Sequence, residues 1–158
     1  MQQAWDMRSV AAADAEQIAA HGHYAMPNVE RQAGYAAWVG TRIESGIYIG
    51  WFAVIQGGVV GGAGAVLLDW GPTRANPSGR MARIVNVFTD DSWRRQGIAR
   101  SLVNRVLAQC EALGVREFNL GATADARPLY ASLGFESYPA EMRRRTAGRN
   151  LEADATVR

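Results

Sequence analysis

Apolar positions along this chain follow two periods, and the change from one to the other marks out its elements. A short run at residues 5–8 predicts a first strand. The alanine-rich segment 10–21 predicts a helix, with Val10, Ala13 and Ile18 near helical spacing and Asp14 and Glu16 toward its positive end. A second helix is expected over 28–44, after Pro27. Val29, Ala33, Ala36, Ala37, Val39 and Ile43 form its apolar side, and Ser45-Gly46 ends it. Runs 47–56 and 59–69 read as strands, and Gly57-Gly58 between them signals a tight hairpin. The second run holds Gly61-Gly62-Ala63-Gly64-Ala65. Glycine weakens a strand, so this run marks a bulge, a close packing contact or a nearby ligand.

Residues 71–80, with Pro72, Asn76, Pro77, Ser78 and Gly79, form a turn-rich loop ahead of a strand at 81–89. A helix over 98–113 follows, its inner face made by Ile98, Leu102, Val106, Cys110 and Leu113. Gly114 stops it, and a strand at 115–120 completes a right-handed parallel strand-helix-strand unit. Pro128 fits a helix only in its first turn, which predicts a helix over 125–134. Short strands are expected at 135–138 and 140–144, with Pro139 between them. The pattern shows no internal repeat, and predicts one domain over 1–146 followed by a polar tail, 147–158.

Composition narrows the class. At 48% hydrophobic and 20% charged residues the chain is expected to be globular rather than disordered. No apolar run approaches the roughly 20 residues of a membrane span, and the N-terminus lacks the order of a signal peptide, so a cytoplasmic protein without membrane contact is expected. The net charge of +2 comes with arginines clustered at Arg94, Arg95 and Arg100 and at Arg143, Arg144, Arg145 and Arg149. They lack interleaved aromatics or a binding module, which argues against nucleic acid. Cys110 excludes an intrachain disulfide and falls on the inner helical face rather than at an exposed nucleophile position. His21-Gly22-His23 reads as a helix stop, since no His or Cys cluster supplies further ligands for a metal.

The chemistry concentrates where the strand at 81–89 feeds the next helix. Arg94, Arg95, Gln96, Gly97, Ile98 and Ala99 place a glycine and a small residue at a helix N-terminus. There, free N–H groups and the helix dipole make a seat for phosphate or pyrophosphate. No Lys-Ser/Thr pair follows Gly97, as a P-loop needs, and no G-x-G-x-x-G is present at this turn. The spacing Arg94-x-x-Gly97-x-Ala99 resembles the Arg/Gln-x-x-Gly-x-Gly/Ala signature of the GCN5-related N-acetyltransferase (GNAT) superfamily. About thirty residues on, Ala126-x-x-Leu129-Tyr130-x-x-Leu133-Gly134-Phe135 resembles a second segment of that family. Thr123 stands where many members carry an asparagine that contacts coenzyme.

The resemblance covers residues 81–135 and implies a mixed α/β fold. Its sheet, of about six or seven mostly antiparallel strands, is splayed between the fourth and fifth and flanked by about four helices. It implies acetyl-coenzyme A as co-substrate and no metal. Pantetheine would run along the backbone around Asn86 to Thr89, with Val87, Phe88 and Thr89 as its contacts, and the turn Arg94, Arg95, Gln96, Gly97, Ile98 and Ala99 would take the pyrophosphate. Thr123, Ala126 and Tyr130 would complete the coenzyme site, with Tyr130 as the acid that protonates the leaving thiolate and a backbone N–H near Val87 or Phe88 stabilising the oxyanion. Glu141 is chosen over Asp69, Glu44, Glu30, His21 and His23 as base for a small-molecule or peptide amine bordered by Tyr35 and Trp38. A homodimer is left open. The rival readings are a non-catalytic acyl-coenzyme A sensor and a plain nucleotide-phosphate binder, neither of which needs a phenol near a thioester.

Overall fold

The structure is a computed structural model and describes residues 4–22 and 28–147. The chain divides into two compact units, residues 1–120 and 121–158, each described by itself below. In the first, β1 (Asp6–Ser9) leads through a 3-10 turn (Ala12–Asp14) into α1 (Ala15–Gly22). Next come α2 (Val29–Ser45), β2 (Tyr48–Ile55), β3 (Gly58–Asp69), β4 (Arg80–Thr89), α3 (Ile98–Ala112) and β5 (Glu117–Asn119). The second unit holds α4 (Arg127–Ser132). The strands form one sheet in the order β1-β2-β3-β4-β5, antiparallel except for the parallel β4–β5 pair across α3.

Local signals explain most boundaries. The side chain of Asn28 accepts from Arg31 N–H at 2.9 Å and caps α2, and Gly46, with φ 76°, closes it. The hairpin loop is Gln56-Gly57 (φ 47° and 81°), so Gly58 belongs to β3 rather than to the turn. Arg8 makes a two-pronged ion pair with Asp14 (2.8 and 2.9 Å), and Ala11 N–H also donates to Asp14 at 2.8 Å. That chelates the entry to α1 and holds the Asp14 carboxyl below its usual range.

Buried residues lie on both faces of β3, whose stretch from Val60 to Ala65 is buried throughout. On one face Ile98, Leu102, Val103, Val106 and Cys110 of α3 are almost wholly buried. Cys110 is a core residue, its thiol pushed up to about 11 by burial. Leu113 was expected on this face but is 46% exposed, because the helix ends at Ala112 and Leu113 is its C-cap. On the other face Ala15, Ile18, Val39, Tyr48 and Phe52 form the core, with Tyr35, Ala36, Trp38, Ile43 and Val85 packed against it. The inner side of α2 therefore differs from the expected one. Val29, Ala33 and Ala37 are exposed, since alanine tolerates either environment and the aromatic positions decide the orientation.

The glycines of β3 are close-packing sites. A Cβ at Gly64 would overlap the Tyr48 hydroxyl, one at Gly62 would come within 3.1 Å of the Phe52 ring, and one at Gly61 within 2.9 Å of Ile98. Aromatic rings from β2 and the first turn of α3 lie directly on the β3 backbone.

Among the described residues the sheet has five strands, not six or seven. Residues 135–138 and 140–144 form no strands: all but Phe135 are exposed, so they lack the half-buried face that stabilises pairing, and Pro139 has no N–H to give.

Candidate active site

The site begins at the turn between β4 and α3. Arg94 leaves the strand end with its guanidinium turned back, donating to Thr89 O at 3.4 Å and pairing with Asp91 at 2.9 Å. Arg95 and Gly97 are both left-handed, with φ 64° and 78°. Gly97 is the N-cap of α3 and supplies no side-chain cap, and the first turn holds no acidic residue. The opening N–H groups of the helix therefore keep their capacity for an anion. A Cβ at Gly97 would meet nothing within 4 Å among the described residues, so the glycine is required there by its backbone angle, and the exposed turn stays open around it. Gln96 is exposed on the turn, while Ile98 is 1% exposed and anchors the helix beneath it. Ala99 occupies the first turn and is half-buried.

The second part of the site is the edge of β4. β5 pairs only with Met81, Ala82 and Arg83, so among the described residues Ile84 to Thr89 have no strand partner on that side. This is the splay expected between the fourth and fifth strands. Within the same stretch β4 carries a bulge: Gly62 faces Phe88 while Gly64 faces Val85, two steps in β3 against three in β4.

Strand alternation then assigns the backbone groups. Leu67 N–H donates to Ile47 O at 2.8 Å, toward β2, and pairing with β2 is regular from Val66 back to Gly61, so the backbone groups of Gly64 and Gly62 face the other way, to β4. Those of Phe88 and Val85 face β3 in return, which commits the Phe88 N–H to the ladder. An extra residue between them breaks alternation once, and the residue with the abnormal backbone is Asn86, at φ 55°. A break there turns the Val87 N–H outward, to the uncovered edge. Of the two N–H groups named as oxyanion donors from the sequence, Val87's is the one so exposed. The Thr89 hydroxyl is buried and has no hydrogen-bond partner among the described residues.

Asn86 itself is held from the helical side. Its amide nitrogen donates to the hydroxyls of Tyr35 (2.8 Å) and Tyr48 (3.1 Å), using both of its hydrogens. A left-handed backbone costs a non-glycine residue about 1–2 kcal/mol, and two buried hydrogen bonds at about 1 kcal/mol each offset it. Burial raises the pKa of both phenols, so both stay protonated. His21 stacks on Phe88 with centroids 4.3 Å apart and meets the Phe52 ring edge-on at 5.7 Å. Its Nε2 lies 3.0 Å from Gln17 Nε2. Burial pushes His21 down to about 4, against a weaker opposing pull from Asp90, so at neutral pH it is an uncharged packing group. Trp38, half-buried, tilts against Tyr35 at 5.6 Å and carries the Arg42 guanidinium 4.7 Å over its ring.

Tyr48 does not stand out as a site residue in the sequence, and Asn86 enters there only through its backbone, not its side chain. The available signal was a lone asparagine inside the apolar run Ile84-Val85-Asn86-Val87-Phe88. Asparagine tolerates left-handed backbone better than most residues, so it marks a bulge. His23 and Pro27 lie outside the described residues. Among the described residues no group of three or more His, Cys, Asp or Glu side chains is placed to hold a metal ion. No helix among them is long and apolar enough to cross a membrane.

In the second unit, Thr123 O accepts from Ala126 and Arg127 N–H at 3.1 Å each, and Thr123 Oγ1 lies 3.3 Å from Ala126 N. Thr123 thus shapes the entry to α4, with Pro128 in the first turn. Tyr130 is 8% exposed and meets Phe135 edge-on at 5.9 Å; burial raises the pKa of its phenol. Phe135 N–H donates to Tyr130 O at 3.0 Å, which closes the helix over Gly134. Glu141 is exposed on an irregular stretch, not on the strand from which its role as base was reasoned.

These features suit the two halves of a coenzyme A thioester. A pyrophosphate is matched by the uncapped N–H groups at Gly97, and an extended amide-bearing arm by the open β4 edge with its outward Val87 N–H. The comparisons point the same way. A family model described as acetyltransferase (GNAT) domain matches residues 11–148. No curated protein matches the chain. Among solved structures, a predicted acetyltransferase with acetyl-CoA from Clostridium acetobutylicum is similar with a TM-score of 0.84 at 19% identity, over 94% of this chain and 97% of the other. A GCN5-related N-acetyltransferase from Ralstonia eutropha JMP134 gives 0.80 at 28% identity, over 91% and 99%. Glucosamine-6-phosphate N-acetyltransferase from Arabidopsis thaliana gives 0.71 at 12% identity, over 92% and 100%. With the family model spanning most of its length, the chain belongs to the GNAT family and is an acetyltransferase.

Proposed function

We propose that this enzyme moves an acetyl group from acetyl-coenzyme A to a primary amine, both bound at once, by direct attack of the amine. The observation that carries the reading is the continuity of the open β4 edge with the uncapped N-terminus of α3, which follows it within one short turn. When bound, the co-substrate supplies an activated acetyl thioester. The chain's part is to hold its phosphates at Gly97, Ile98 and Ala99, with Arg95 and Gln96 at the rim, and its arm along Val87, Phe88 and Thr89.

Three proton and charge demands remain. The Val87 N–H faces the edge where negative charge develops on the carbonyl oxygen. Tyr130, protonated at neutral pH, is assigned the proton for the departing thiolate, with Thr123 and Ala126 setting the helix that carries it. Glu141, an exposed carboxylate, is assigned the amine proton, directly or through water. Tyr35 and Trp38 border the acceptor, a small-molecule or peptide amine. An acyl-enzyme route has no support here, because the only cysteine, Cys110, is buried in the core. Initial rates measured with both substrates varied test the scheme: intersecting double-reciprocal lines are expected, and parallel lines would contradict the ternary complex.

A further inference from the structure

The polar cluster around Asn86 joins three elements at the point where the backbone of β4 changes direction. Tyr35 comes from α2, Tyr48 from β2 and Asn86 from the bulge, and the Asn86 Oδ1 sits where a Cβ on Gly22, the last residue of α1, would come within 3.0 Å. Packing alone does not demand this arrangement. Val85, next to Asn86, already faces the same core, and an apolar residue at 86 would bury as well. What an apolar residue could not do is hold a left-handed backbone and accept a tether from two phenols at once.

We propose that Asn86 is a positioning residue whose amide, clamped by the Tyr35 and Tyr48 hydroxyls, fixes the bulge so that the Val87 N–H is aimed outward at the thioester carbonyl. The proposal rests on the acetyl-transfer reading and adds to it the device that orients its oxyanion donor. It gives the Tyr48 phenol a purpose that its position otherwise lacks: the ring occupies the space left by Gly50 and Gly64, while its hydroxyl accepts from Asn86 on β4. It also ties the acceptor side to the donor side. Tyr35 sits beside Trp38 on α2, so displacement of that helix is transmitted through one hydrogen bond to the residue that sets the direction of the Val87 N–H.

Tyr48→Phe and Asn86→Gly separate the clamp from its surroundings. Tyr48 is 4% exposed, so its hydroxyl acts on a ligand only through Asn86. Asn86→Gly accepts the left-handed backbone readily but loses the tether. The probe is acetyl-coenzyme A labelled with ¹³C at the thioester carbonyl, read by isotope-edited infrared spectroscopy, with affinity from calorimetry. On wild-type protein the carbonyl band should move to lower frequency as the backbone donor polarises it. In both variants about half or more of that displacement should vanish while Kd stays within about threefold, because the phosphate seat at Gly97 is untouched. Should Tyr48→Phe fail to fold, Asn86→Gly gives the same readout. Full displacement in a folded variant would overturn the clamp, and a bound but undisplaced wild-type carbonyl would overturn the role of the Val87 N–H. No binding by wild type at all would overturn the acetyl-transfer reading itself, a distinct result.

Discussion

Substituting Gly97 isolates the anion seat. The residue sits at φ 78° with nothing within 4 Å of its would-be Cβ, so any side chain there meets a backbone cost but no clash inside the protein. That backbone cost is about 1–2 kcal/mol. At roughly 2–4 °C per kcal/mol for a chain of this size, the melting temperature should fall by about 2–8 °C in Gly97→Gln and Gly97→Glu alike. Binding should separate the two. Gln adds bulk beside the α3 N–H groups, and Glu, of the same size, adds a negative charge that would face a doubly charged pyrophosphate. Each charge pair near 4 Å is worth about 1 kcal/mol even at the dielectric of water, so the Glu variant should bind acetyl-coenzyme A at least about 30-fold more weakly than the Gln variant. Because the turn is exposed, salt should screen this gap: the Debye length falls from about 10 Å at 0.1 M to about 3 Å at 1 M. Calorimetry at both salt concentrations, with thermal melts of both variants, measures each part. Equal affinities for Glu, Gln and wild type would show that the phosphates bind elsewhere.

Other changes probe other parts of the account. Tyr130→Phe keeps the ring against Phe135 but removes its proton, so kcat should drop by about 10²–10⁴-fold with acetyl-coenzyme A affinity nearly unchanged; steady-state kinetics across pH check this, and full kcat throughout would remove the acid role. Trp38→Ala should raise the acceptor's KM more than the coenzyme's, which substrate-variation kinetics would show. His21 titrates near 4 when folded and near 6.5 when unfolded. The unfolded chain therefore takes up the proton first, and stability should be lost as pH falls from about 6.5 toward 4, by up to about 3 kcal/mol. Urea unfolding at several pH values should show this slope in wild type and a flatter one in His21→Gln.

The parts legible in the sequence are those where backbone geometry restricts residue type. A left-handed N-cap at the entry to a helix favours glycine, so Gly97 stood out; likewise the α3 face from Ile98 to Cys110 repeats at helical spacing because it packs on β3. The strands expected at 135–138 and 140–144 failed because a few apolar letters around a proline look the same whether or not a partner strand exists. For the β3 glycines the sequence offered three explanations, and the structure shows two of them together: an extra residue in β3 between Val59 and Gly61, and close packing by the rings of Tyr48 and Phe52 and the side chain of Ile98. The Asn86 side chain was not legible for a related reason. Its significance lies in a register break between β3 and β4 and in two phenols from distant segments, none of which leaves a local pattern.

Acetyl transfer to an amine is the central claim, and thiol release tests it most directly. Wild-type protein supplied with acetyl-coenzyme A should be screened against amino acids, polyamines, amino sugars, aminoglycosides and peptides, with free thiol followed continuously and products identified by mass spectrometry. At least one primary amine should release thiol well above the hydrolytic background, with one acetylated amine formed per thiol. Stoichiometric binding of acetyl-coenzyme A, with no amine across these classes raising thiol release, would contradict the account and favour a non-catalytic acyl-coenzyme A sensor.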